Sequence, residues 1–170
     1  MSRFILLLFL FWSSSLMAQS SLQLPKRILA LPLPLVKGSM CPNKYSQQQK
    51  YCVPGTSAAF AVPRFKSSCP GGYSPAGKYC LGSKYYAVER KGSCPMGYST
   101  SGQYCVGKKE AAYTVLKSGS CPLGYTVAGK YCLRRPEEGY AVVKRGSCPR
   151  GFKTEKGYCV RHLRNYSQYR

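Results

Sequence analysis

Ten cysteines are the side chains of this chain best able to do chemistry, and their spacing decides which chemistry that is. They fall as Cys41/Cys52, Cys69/Cys80, Cys94/Cys105, Cys121/Cys132 and Cys148/Cys159, each pair eleven positions apart. Zinc sites bring two thiolates together at much shorter separations such as C-x2-C, often with histidine, and here His162 is the only histidine. An even count behind an export leader points instead to an oxidised framework, with one bond inside each pair. Bonds between neighbouring pairs remain open on spacing alone.

The rest of the catalytic inventory is thin. Aspartate is absent, and the carboxylates are Glu89, Glu110, Glu137, Glu138 and Glu155. The one adjacent pair sits in a Pro136-Glu137-Glu138-Gly139 turn, whereas glycoside hydrolysis needs two facing acids and a hydrolytic triad needs a histidine between nucleophile and acid. Calcium cages need clustered carboxylates. The glycines recur with the turns and lack the strand-to-helix setting of a phosphate loop. The expectation is a protein that is no enzyme and carries no metal or cofactor.

Surface charge is the remaining chemistry. The chain carries 26 Lys and Arg against five acids, a formal charge of +21, which favours fast and salt-sensitive capture of polyanions. Basic residues recur in or near the connections between cysteine pairs: Arg90-Lys91, Lys108-Lys109, Arg134-Arg135 and Lys144-Arg145, with Lys84, Lys117, Lys130 and Arg150 close by. Regular stacking of the modules would line these up as one stripe, and several weak contacts to one long ligand would then reinforce each other. Anionic polysaccharide, lipid headgroups and extracellular nucleic acid are the partners this chemistry suits. A structural or adhesive surface protein, with charge secondary, is the alternative.

The elements that must position these groups are read from a repeat. Successive first cysteines lie 28, 25, 27 and 27 residues apart, so the pair is the structural unit and the connection varies. Each copy has proline directly after its first cysteine, an aromatic four positions after it (Tyr45, Tyr73, Tyr98, Tyr125, Phe152) and tyrosine just before the second (Tyr51, Tyr79, Tyr104, Tyr131, Tyr158). Segments such as Tyr113–Lys117 and Tyr140–Lys144 are short, aromatic and β-branched, which predicts strands. Turn residues such as Ser74-Pro75-Ala76-Gly77 and Thr126-Val127-Ala128-Gly129 sit between the cysteines, so each pair brackets a hairpin.

The predicted fold is therefore small, all-β and disulfide-rich: a tandem array of five stapled β-hairpin modules. Folding the third module about Thr100-Ser101 sets Gly97 opposite Tyr104. That folding also leaves Cys94 out of register with Cys105, so that a bulge, a longer loop or a kink is needed to close the bond. Lys44 and Gln49 replace glycines in the first copy and Gly157 is displaced by one place in the fifth. The outer copies thus look like the caps that a stacked array needs. Pro63 argues against a central strand at that point.

The organisation that follows is a signal peptide over 1–18, a proline-containing lead over 19–34, repeats over 35–55, 56–83, 84–108, 109–135 and 136–162, and a basic tail over 163–170. Phe4 to Trp12 is an unbroken apolar run behind Arg3, with cleavage expected near Ala18. That run is too short for a bilayer core, which takes about 20 residues, and no other stretch supplies a transmembrane span. The expected location is secreted or periplasmic. A unit of this size falls below the roughly 40 residues that usually hold a core unaided, so the disulfides carry much of the stability.

Overall fold

The computed structural model describes residues 31–162 apart from Ser83 and Glu137; the signal peptide, most of the lead and the basic tail lie outside the described residues. Each repeat forms one three-stranded antiparallel sheet. The first holds β1 (Leu35–Val36), β2 (Tyr45–Gln48) and β3 (Tyr51–Pro54), and the second β4 (Phe60–Pro63), β5 (Tyr73–Ala76) and β6 (Tyr79–Gly82). The third has β7 (Ala87–Glu89), β8 (Tyr98–Ser101) and β9 (Tyr104–Gly107), the fourth β10 (Thr114–Leu116), β11 (Tyr125–Ala128) and β12 (Tyr131–Arg134). The fifth has β13 (Tyr140–Val143), β14 (Lys153–Glu155) and β15 (Tyr158–Arg161). No helix occurs among the described residues.

In every sheet the third strand is central, with the lead strand on one side and the second strand on the other. The central strand carries Tyr-Cys, both fully buried, while the second strand is mostly exposed and polar, a short edge that resists further pairing. Pro63 ends β4, which is an edge strand, so its missing N–H costs no ladder bond.

The five bonds are those expected within each pair: Cys41–Cys52, Cys69–Cys80, Cys94–Cys105, Cys121–Cys132 and Cys148–Cys159. Hairpin register differs from the sequence reading. Thr100 pairs with Cys105 and Ser101 with Tyr104, so the turn is Gly102-Gln103, two residues later than expected. The physical reason is backbone geometry: Gly102 has φ of 57°, which a tight two-residue hairpin turn requires at its first position. Cys94 consequently lies outside the hairpin, in the segment leading to β8, and reaches the central strand at a Cα–Cα distance of 5.5 Å with no bulge. Tyr98, not Tyr104, covers a glycine, and that glycine is Gly107 rather than Gly97.

The displaced glycine of the fifth module has the same explanation. Its turn is Lys156-Gly157 with positive φ at both residues, the pattern of a type I′ turn, whereas the other modules have positive φ at the first residue only. In the first module Lys44 and Gln49 take the positive φ of the glycines they replace, at 65° and 53°.

Modules meet through the tyrosine that precedes the second cysteine. Its hydroxyl accepts a backbone N–H from the turn after the lead strand of the preceding module: Tyr79 from Gly38 at 2.9 Å, Tyr104 from Phe65 at 2.9 Å, Tyr131 from Lys91 at 2.7 Å and Tyr158 from Ser118 at 2.7 Å. Tyr51 of the first module makes the same contact with the fifth, accepting from Arg145 N–H at 2.6 Å. Each hydroxyl also lies within 3.5–3.9 Å of the second cysteine's sulfur in that neighbour, including Tyr51 on Cys159 at 3.5 Å. Gln48 of the first module accepts from Arg150 N–H of the fifth at 3.1 Å.

The array is therefore a closed ring of five blades, a propeller-like arrangement with three-stranded blades. This corrects the expectation of capping copies at its two ends. A head-to-tail interface repeated with a rotation that closes after five steps needs no caps, because the first and last modules are neighbours. Leu33, assigned to the lead segment, is buried among Tyr113, Tyr140 and Phe152 and belongs to the core.

Candidate functional site

The ring has two ends that differ in what the strands deliver to them. Lead strands run from the connections between modules toward the hairpin tips, and those of consecutive modules pack side by side around the axis, β1 on β4, β4 on β7, β7 on β10 and β10 on β13. At the far end of each one, the residue after the strand donates its N–H to the hairpin tip of its own module. The pairs are Lys37 to Lys50 at 2.8 Å, Arg64 to Lys78 at 2.9 Å, Arg90 to Gln103 at 2.8 Å, Lys117 to Lys130 at 2.9 Å and Lys144 to Gly157 at 2.9 Å. Nearly every blade thus places a cation at its lead-strand terminus beside another at its hairpin turn, and Lys66, Lys91, Arg145 and Lys156 join them at this hairpin end. The described carboxylates nearby are occupied: Glu89 pairs with Lys91, and Glu155 accepts the Leu123 N–H.

The connection end is different. Arg134 stacks on the Tyr140 ring at 4.6 Å and donates to the Glu138 carbonyl at 2.6 Å, while Arg135 lies 3.9 Å from the Glu138 carboxylate. Lys84 lies over the Tyr85 ring at 5.4 Å. Lys108 and Lys109 are exposed in a connection, with Lys108 N–H donating to the Gly97 carbonyl at 2.8 Å.

The single stripe expected from the sequence is not what the fold builds. Arg90, Lys91, Lys117, Lys130, Lys144 and Arg145 gather at the hairpin end. Lys84, Lys108, Lys109, Arg134 and Arg135 lie at the connection end, and Arg150 sits on the wall at the seam between the first and fifth modules. The split arises because a basic pair before a lead strand and one after it are separated by the strand's length. Lys37, Lys50, Arg64, Lys66, Lys78 and Lys156 were missed. Comparing equivalent positions across the copies, in place of picking out adjacent pairs, would have found most of them.

Among the described residues, two cavities open at or near the hairpin end. One, of about 460 Å³, lies at the seam and is lined by Lys37, Lys50 and Arg145 with Val36, Gln49 and Gly146. The other, also about 460 Å³, runs along the axis between the lead strands. Val36, Val62, Val88, Val115 and Val142, one from each blade, contribute to its wall, with Lys37 and Arg145 at its mouth. Tyr86 and Tyr113 line it toward the connection end, their rings at a centroid distance of 4.7 Å, and Tyr113 packs in turn on Tyr140 at 5.3 Å. Burial pushes the Tyr86 and Tyr113 phenols above their ordinary pKa, so both remain neutral. The hydroxyl of Tyr113 donates to the Ala141 carbonyl at 2.6 Å.

The second aromatic column clamps the connections. Tyr45, Tyr73, Tyr98 and Tyr125 donate to the carbonyls of Ala59, Tyr85, Ala112 and Gly139 at 2.5–3.0 Å. These rings are structural, and so are the five tyrosines of the inter-module contacts. Comparison of the chain with protein-family models, with curated proteins and with solved structures found no match. Five disulfides are compatible with an oxidising extracellular or periplasmic setting, and no helix among the described residues is long and apolar enough to cross a membrane.

Proposed function

We propose that this protein is an exported, non-catalytic binder of anionic envelope or extracellular-matrix material, and that the hairpin end of the ring is its binding face. The observation that carries the reading is the repeated basic column at that end, with Lys37, Arg64, Arg90, Lys117 and Lys144 at equivalent lead-strand termini. A fivefold array of cations engages a ligand that itself repeats a negative charge, such as an acidic polysaccharide, a nucleic acid backbone or a sheet of anionic headgroups. Each contact is weak and screened, and their number supplies the affinity. Cations of the connection end are partly engaged by Glu138 and by aromatic rings, which lowers their availability.

The test is salt-titrated retention on immobilised heparin. Joint replacement Lys117→Glu, Lys130→Glu and Lys144→Glu at the hairpin end should lower the eluting salt concentration strongly, and Lys108→Glu with Lys109→Glu at the other end should change it little. Equal effects of the two sets would reject the assigned face. Normal surface assembly with no polyanion retention at low salt would reject the binder in favour of a scaffold.

A further inference from the structure

The axial cavity is a second site, distinct in chemistry from the charged face around it. Its lining is predominantly apolar, with Leu116 and Val143 joining the ring of valines and Leu35. The described acid on its lining, Glu89, is held by Lys91. The first lead segment lines it from Leu33 to Lys37, and four residues at no more than about 3.3 Å each limit its depth to roughly 13 Å. The hydroxyls of the lining tyrosines point to partners, Tyr113 to the Ala141 carbonyl and Tyr86 to Tyr113 at 3.5 Å. A volume of about 460 Å³ lies within the usual range of small-molecule sites, roughly 300–1,000 Å³.

We infer that this cavity takes one alkyl chain of an anionic single-chain amphiphile, a medium-chain carboxylate, with the chain along the axis and the head at Lys37 and Arg145. Two features fit together. The Tyr86 and Tyr113 rings lie at the connection end, away from the cations. Lys37 and Arg145 are both on the cavity lining, so a carboxylate there meets positive charge while its chain lies along the apolar walls. The site shares Lys37 with the outer face, and its failure is distinguished from failure of polyanion binding because the apolar walls are tested separately from the cations.

Decanoate binding by the whole protein, followed by isothermal calorimetry and by displacement of a fluorescent fatty acid, tests the inference. One decanoate per chain is expected, with no competition by acetate, which has the head without the chain. Decyltrimethylammonium, the same chain length with the opposite charge, should bind at least tenfold more weakly. Leu116→Trp and, separately, Val36→Phe should each reduce decanoate affinity at least tenfold while heparin retention and far-ultraviolet dichroism stay unchanged. Lys37→Ala with Arg145→Ala should narrow the difference between decanoate and the cationic amphiphile. Absence of decanoate binding, a stoichiometry of several per chain, or full binding in both plugged variants would overturn the proposal. So would association with phosphatidylglycerol vesicles without uptake of free decanoate.

Discussion

Replacing Tyr51 by phenylalanine isolates the closure of the ring. In the closed structure its hydroxyl accepts the Arg145 N–H at 2.6 Å and lies 3.3 Å from the Val143 carbonyl, at a position with no exposure of the tyrosine. Removing the oxygen leaves a backbone donor without a partner in a part-buried seam, which costs about 1–3 kcal/mol. Tyr104→Phe removes the equivalent contact to Phe65 N–H between the second and third modules, at 2.9 Å. Closure gives both seams the same hydroxyl-to-amide contact, so both variants should lose stability, each on the order of 2 kcal/mol. In an open array Tyr51 would face solvent at a free end and its hydroxyl would contribute almost nothing. Urea unfolding under non-reducing conditions, followed by the near-ultraviolet dichroism of the tyrosines, reads the difference directly. An unchanged midpoint for Tyr51→Phe beside a clear loss for Tyr104→Phe would refute the ring.

Three further outcomes follow from the same geometry. Cys94→Ser with Cys105→Ser opens a bond between residues eleven apart, and the loss should be roughly 3 kcal/mol in the same urea titration. Lys44→Gly and Gln49→Gly should each stabilise by about 1 kcal/mol, because both residues hold a positive φ that side chains oppose, and unchanged or lowered midpoints would count against the turn geometry. Burial raises the phenol pKa of Tyr86, Tyr98 and Tyr113 in the fold. The unfolded chain therefore loses these protons first: the stabilisation is intact below about pH 10 and declines above it, by about 1.4 kcal/mol per pH unit for each such group, until the folded values are reached. Absorbance at the phenolate band should accordingly rise together with alkaline unfolding, and titration of these tyrosines near pH 10 in a folded protein would contradict their burial.

The disulfide pairs and the hairpins were legible because each is local. Cysteines a fixed eleven residues apart, a turn between them and Tyr-Cys on one short strand confine the module to few conformations. The register was less legible. Thr100-Ser101 and Gly102-Gln103 both offer turn residues, and the choice depends on which strand the lead segment joins. A central strand fed by both neighbours fixes Thr100 opposite Cys105, and no short-range signal contains that constraint.

By itself the sequence determined a stapled hairpin unit, repeated five times, with an excess of cations around it. Only the tertiary structure decided that the units form a ring, which cations share an end, and that an apolar bore runs between the lead strands. The reason is that closure depends on the rotation from one module to the next. That angle is set by how Tyr79 or Tyr104 seats against a neighbour's turn and sulfur, an interface between residues some 40 positions apart, as in Tyr104 with Phe65 at a separation of 39. Small differences in the angle, summed over five steps, separate a ring from an open spiral, and no single module encodes the sum.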